Sequence, residues 1–232
     1  MVDFRYLLTL LLVVGLLFAE DRSDNLYPHW FLYPSPMGVV GYDGALGATA
    51  YEDGVERFYG LQKCTVKGVT KSYLKGNWID SWQDSVYLEY FSPLQKDSLT
   101  LLAHHRIRSG EIVFLAQDTL KVDTSLIDVR TIDTPQWVFT LPHEKGRVYG
   151  RGVEKYRYPF VRAWWLSEEN AILDIARQEE VKISQLNRSG DSRYEIIRRE
   201  EFNLNLKNVM VVERWFDVST RTCFTLVVSL DK

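Results

Sequence analysis

The chain has 232 residues, 46% of them hydrophobic and 25% charged, with a formal net charge of −3. This is ordinary globular composition, long enough for two small domains with cores of their own. The near-neutral balance provides no general attraction to nucleic acid or to an anionic membrane. Two cysteines, Cys64 and Cys223, are too few for a disulfide framework, and each reads as a small buried hydrophobe.

The amino terminus reads as a targeting segment. Arg5 precedes an apolar run from Tyr6 to Phe18, and Ala19 offers a small residue before the charged Glu20-Asp21-Arg22. That is the layout of a secretory signal peptide over residues 1–19, shorter than a bilayer span requires. No cysteine stands at the cleavage site to carry acyl chains, so the expectation is an exported protein without a lipid anchor.

After the leader, proline-marked sequence from Tyr27 to Pro36 should run extended into a strand at Gly38–Tyr42, without a helix. A helix is expected from about Ala45 to Lys63, with Val55, Phe58, Tyr59 and Gln62 as its buried stripe. A strand with alternation follows at Thr65–Thr70. An aromatic segment, Trp78 to Phe91, precedes a hairpin expected between Ile112–Val122 and Leu126–Ile132.

The second half repeats this order. Pro28-His29-Trp30-Phe31 returns as Pro135-Gln136-Trp137-Val138, and Glu52–Tyr59 lies without a gap over Glu169–Ala176, an offset of 117 residues. Gly54 falls over Ala171, which keeps a small residue where helix and sheet approach closely. The second helix is expected near 162–180, with Ile172, Ile175 and Ala176 on its buried face after Trp164 or Trp165 and Leu166. Cys64–Lys67 over Val181–Ser184 extends the match and predicts a strand there, followed by a polar loop from Asn187 to Arg199. Leu206–Val218 and Thr222–Leu230 form the closing hairpin, with Val209, Val211, Leu226 and Val228 directed toward the helix. A repeat of this length suits a duplicated small domain. The fold class is therefore α+β, two tandem units of antiparallel sheet with one helix across a face, over residues 26–133 and 134–232.

Pro135-Gln136-Trp137, the Val148-Tyr149-Gly150-Arg151-Gly152 strand, Ala171, Ala176 and the closing Val211–Asp217 and Phe224–Val228 pair resemble the bacterial Lpp-twenty family of envelope lipoproteins and their flagellar-accessory relatives. The resemblance implies a dodecin-like strand-helix-strand-strand unit and a periplasmic or outer-membrane-associated location. Its members are surface antigens or parts of envelope and flagellar assemblies rather than enzymes.

The candidate chemistry is sparse. His104 and His105 are adjacent and point to opposite faces of a strand, which suits no shared metal. Gly150-Arg151-Gly152 lacks the third glycine and the lysine of a nucleotide loop, and reads as a strand bulge or close backbone packing. No Gly-x-Ser-x-Gly is present. The expectations are no catalytic, cofactor or metal site. Two aromatic or basic segments remain as interaction candidates: Trp78, Trp82, Tyr87 and Tyr90 in the first half, and Arg151, Arg157 and Tyr158 in the second. The expected partner is an envelope or flagellar protein or a second copy. An anionic glycan or lipid headgroup is the other class, and nucleic acid is not expected. The alternative reading is a module that captures a small molecule or anionic glycan between the two domains.

Overall fold

The computed structural model describes residues 25–44, 47–75, 78–91, 98–107, 110–156, 159–186 and 198–230, with side chains described for all but 69–75, 78–86, 179–186 and 198–202. The expected leader, Arg157 and Tyr158, and most of the polar stretch after Leu186 lie outside these residues.

The elements of the first half are β1 (Leu26–Pro28), α1 (His29–Leu32), β2 (Gly38–Tyr42), α2 (Ala50–Gln62), β3 (Lys63–Lys75), β4 (Trp78–Tyr90), β5 (Thr100–Ile107), β6 (Gly110–Ala116) and β7 (Leu126–Asp128). Short 3-10 turns at Val129–Thr131 and Gln136–Val138 lead to the second half: β8 (Val148–Lys155), α3 (Phe160–Leu186), β9 (Arg198–Lys207), β10 (Val209–Asp217) and β11 (Thr222–Ser229). The result is a mixed α+β fold with several antiparallel sheets.

Helix α2 begins where Thr49 and Glu52 form a capping box, each side chain taking the other's backbone N–H. It packs on β2 and β6, and α3 packs on β8 and β11. The two sheets share one plan. In the first the order is β2-β6-β5 and in the second β8-β11-β10, so the opening strand of each half pairs with the last strand of its closing hairpin. A third sheet, β4-β3-β9, joins strands of both halves.

A glycine sets each helix-to-sheet approach. A methyl group on Gly41 would overlap the carbonyl of Ala50 and the backbone of Gly54, and one on Gly152 would overlap the carbonyl of Ser167 and the backbone of Ala171. Ala50 and Gly54 stand 117 residues before Ser167 and Ala171, the offset read from the sequence. Gly150 and Gly152 thus serve close backbone packing, as the sequence suggests.

Several local expectations differ from the structure. Pro28 leads into the short helix α1, which buries Trp30, Phe31 and Leu32. The first closing hairpin is β5 with β6, while Leu126–Asp128 pairs with β1. Ile112–Ala116 is a fully buried run because β6 is the central strand of its sheet. Val181–Ser184 continues α3 instead of forming a strand, and the strand in that place is β9, which already includes Arg198 and Arg199. No glycine or proline interrupts the chain between Phe160 and Leu186, so nothing ends the helix earlier.

The apolar interior is shared. One cluster joins Phe31, Tyr42 and Phe114 to Phe160, Trp164 and Phe216, and another joins Val39, Leu61 and Leu115 to Ile172, Ile175 and Val227. A core for each half was expected, whereas both clusters draw on both halves. Leu226 and Val228, expected against the helix, face the other side of their sheet and pack with Trp137, Tyr149 and Trp215. Val227 takes the helix-facing place.

Candidate functional site

The buried face of α2 includes two charged groups. Asp53, Gly54, Arg57 and Leu61 are buried, as is Tyr59 of the expected stripe, while Gln62 is exposed and Val55 and Phe58 are half-buried. On α3, Glu168 lies in phase with Trp164, Ala171, Ile172 and Ile175, all of them buried. On β10 a β-bulge between Val211 and Glu213 shifts the alternation, so Arg214 lies opposite Thr225 and Phe216 opposite Cys223, on the side that faces α3.

These elements bring Arg57, Glu168 and Arg214 together where the two halves meet, each about 1% exposed. Glu168 Oε1 pairs with Arg57 Nη2, and Oε2 accepts hydrogen bonds from Arg214 Nη2 at 2.9 Å and from the Tyr42 hydroxyl at 2.8 Å. Arg214 Nη1 donates to the Phe31 carbonyl at 2.7 Å. The guanidiniums also lie over rings, Arg214 at 4.7 Å from the Phe31 centroid and Arg57 at 5.4 Å from that of Tyr42. Arg57 Nε and Nη1 and Arg214 Nε have no hydrogen-bond partner.

Burial pushes the Glu168 carboxyl up, but Arg57 and Arg214, with the hydrogen bonds from Arg57 and Tyr42, hold it below the usual carboxylate value. Asp53 behaves oppositely. Burial raises its carboxyl to about 6 against the pull of Arg57 and of the Tyr42 N–H, which donates to it at 2.9 Å. Burial likewise raises the Tyr42 hydroxyl, the Cys223 thiol and the Cys64 thiol, the last to about 12. Both cysteines are free and buried, which keeps them as thiols with little nucleophilic character.

Beside this cluster lies a cavity of about 280 Å³ at the seam. The first half contributes Pro34–Val40, Phe58, Leu61, Gln62, Gln117, Asp118 and Leu120, and the second contributes Asn208–Val211 and Arg214. The lining is mostly apolar, with amides at its margin and Arg214 as its one cation. Arg214 is paired with Glu168, which it shares with Arg57.

Of the interaction candidates of the sequence, Tyr87, Tyr90 and Arg151 have described side chains. Tyr87 is 52% exposed on β4, whereas Tyr90 packs inward and donates to Glu169 at 2.6 Å. Trp78 and Trp82 belong to the backbone of β4, and their side chains lie outside those described. Arg151 donates to the Val138 carbonyl. Nearby, the rings of Tyr149, Phe160 and Trp164 are buried and Arg162 is exposed. His104 meets Glu111 at 3.1 Å on the exposed face of β5. Among the described residues no three His, Cys, Asp or Glu side chains converge as metal ligands, and no helix is long and apolar enough to cross a membrane.

The sequence reading missed Tyr42, Asp53, Arg57, Glu168 and Arg214. One signal was available: Arg57 is in helical phase with Gly54, and Glu168 with Ala171, the positions already assigned to the sheet. Neither a protein-family model, a curated protein nor a solved structure matches the chain.

Proposed function

We propose that this chain is a non-catalytic, exported envelope component that acts by binding a partner in the seam cleft. In this reading it is built from two dodecin-like units, 26–133 and 134–232, as the resemblance to the Lpp-twenty family implies. The common strand order of the two sheets and the matched glycine contacts at the 117-residue offset support the duplication. Export rests on the leader-like residues 1–19.

The observation that carries the binding role is the cleft itself. It lies between the halves and is lined mostly by apolar and amide groups, with an arginine held by Glu168 beneath it. Among the described residues its ionisable lining is Asp118 and Arg214. A concave apolar surface with a few fixed polar groups is the chemistry of recognition.

The test is fractionation of the source cells. The mature chain should begin near residue 20, accompany the envelope fraction, and run in a complex larger than a monomer. Met37 is 58% exposed at the cleft, so Met37→Glu should leave folding intact and release the complex. An intact Met1 in the cytoplasm, or a complex indifferent to Met37→Glu, contradicts the proposal.

A further inference from the structure

The sheet β4-β3-β9 has two unlike ends. At one end Cys64, Val66 and Leu206 are buried in the core, while their neighbours Lys63, Asn205 and Lys207 are exposed, as is Tyr87 opposite Lys67. Alternation therefore puts the odd-numbered residues of β3 on the outer face of the sheet. From Gly68, which is still buried, β3 and β4 run on together to the pair Lys75 and Trp78, about 24 Å further. The described pairing of β9 ends earlier, at Ser72 with Arg198.

The backbone register fixes what gathers at this far end. One row aligns Arg199, Lys71 and Trp82, and the next aligns Arg198, Ser72 and Ser81. Tyr73 then lies opposite Asp80, Leu74 opposite Ile79, and Lys75 opposite Trp78. By alternation Tyr73, Trp78 and Trp82 belong to the outer face and Leu74 and Ile79 to the inner one, so large apolar residues occupy register positions on both faces beside the turn. Lys71, Lys75, Arg198 and Arg199 stand in the same rows, with Asp80 as the only acidic residue among them. A chain of net charge −3 thus concentrates positive charge at one end of one sheet.

Apolar residues beside a turn, ringed by lysine and arginine, have the composition of a lipid interface. Tryptophan and tyrosine settle at headgroup depth, leucine and isoleucine reach the acyl boundary, and the cations meet phosphates. A glycan or a nucleic acid would use the rings and the cations but has no use for Leu74 and Ile79. We propose that the turn end of the β3–β4 hairpin docks on an anionic phospholipid surface. No residue of this hairpin lines the seam cleft, so the two surfaces act independently. Tyr87, opposite Lys67, lies about 27 Å along the hairpin from Lys75 and stays clear of the bilayer.

The probe is vesicles of equal parts phosphatidylcholine and phosphatidylglycerol, sedimented with the chain purified from its source cells. The chain should bind them, lose affinity as salt rises, and bind phosphatidylcholine vesicles at least about tenfold more weakly. Lys71→Gln combined with Lys75→Gln should weaken binding at least about tenfold, since each cation near an anionic surface is worth about fivefold. Trp78→Ser combined with Ile79→Ser should do the same, whereas Tyr87→Ser should bind as the parent does, all with the parent's circular dichroism. In the parent itself, vesicles with brominated acyl chains should quench part of the tryptophan emission, a readout that needs no variant. Absence of vesicle binding, equal binding to both vesicles, unquenched emission, or folded hairpin variants that bind as the parent each overturn the proposal. A loss in Tyr87→Ser as large as that in the Trp78 and Ile79 variant also overturns it, because the flat face and not the turn end is then the contact. Capture by dextran sulfate without vesicle binding overturns it in favour of an anionic glycan.

Discussion

At the scale of single residues, the decisive feature is a carboxylate between two arginines in a nearly dry seam. Removing one member of a buried ion pair leaves the others without compensation and costs about 3–5 kcal/mol, a large share of a typical folding free energy. Glu168→Gln strands both Arg57 and Arg214. Urea denaturation should show a loss of that size, and a loss below about 1 kcal/mol would mean that the cluster is better hydrated than its burial indicates. Asp53 makes a prediction of opposite character. Its carboxyl is raised to about 6 in the fold from an ordinary value of 3.8, so the unfolded chain releases this proton first. The contribution of Asp53 is complete below pH 3.8 and is lost as pH rises through about 6. Asp53→Asn keeps an oxygen for the Tyr42 N–H and removes that loss. The variant should match the parent near pH 4 and exceed it at pH 7 by up to about 3 kcal/mol, read from denaturation midpoints across that range. Parallel pH profiles for the two proteins contradict the assignment.

At the scale of elements, the sequence was legible where packing is local and strict. The strand Gly38–Tyr42, the helix match at 117 residues and the small residue at Gly54 and Ala171 all reflect one steric requirement, a helix lying on a strand at a glycine. Gly152→Ala forces the new methyl into the Ser167 carbonyl, and the helix must lift, at a cost of about 1–3 kcal/mol. Gly44 has φ of 72° and open space around it, so Gly44→Ala meets only the left-handed penalty of about 1 kcal/mol. Thermal melts should place Gly152→Ala below Gly44→Ala, and the reverse order would mean that the helix tolerates displacement. Other elements were not legible, for stated reasons. A four-residue alternation at Val181–Ser184 does not separate strand from helix. The bulge in β10 that carries Arg214 inward leaves no mark on composition, and simple alternation puts Glu213 and Trp215 in the place of Arg214 and Phe216. Of the stripe expected on α2, Tyr59 is buried, but apolar periodicity could not register Asp53 and Arg57, which are buried as well.

At the scale of the molecule, two of the sheets share one strand order, the halves share their interior, and their seam holds both the ion cluster and the cleft. On α3, Asn170, Asp174 and Gln178 bond the outer main chain of β8, while the positions 117 residues earlier on α2 serve other ends. Arg57 holds the halves together through Glu168, and Leu61 lines the cavity. The candidate site was legible in the sequence only as a space between domains, because its walls come from segments more than 150 residues apart, Gly38–Val40 and Val209–Val211. The aromatic strand of Tyr87 and the exposed Phe139, 74% accessible, are the rival surfaces. Photo-crosslinking in intact cells separates them, with benzoylphenylalanine placed in turn at Met37, Tyr87 and Phe139. The account predicts an adduct from Met37 that the other two positions do not give, and an adduct from Tyr87 or Phe139 with none from Met37 would contradict it.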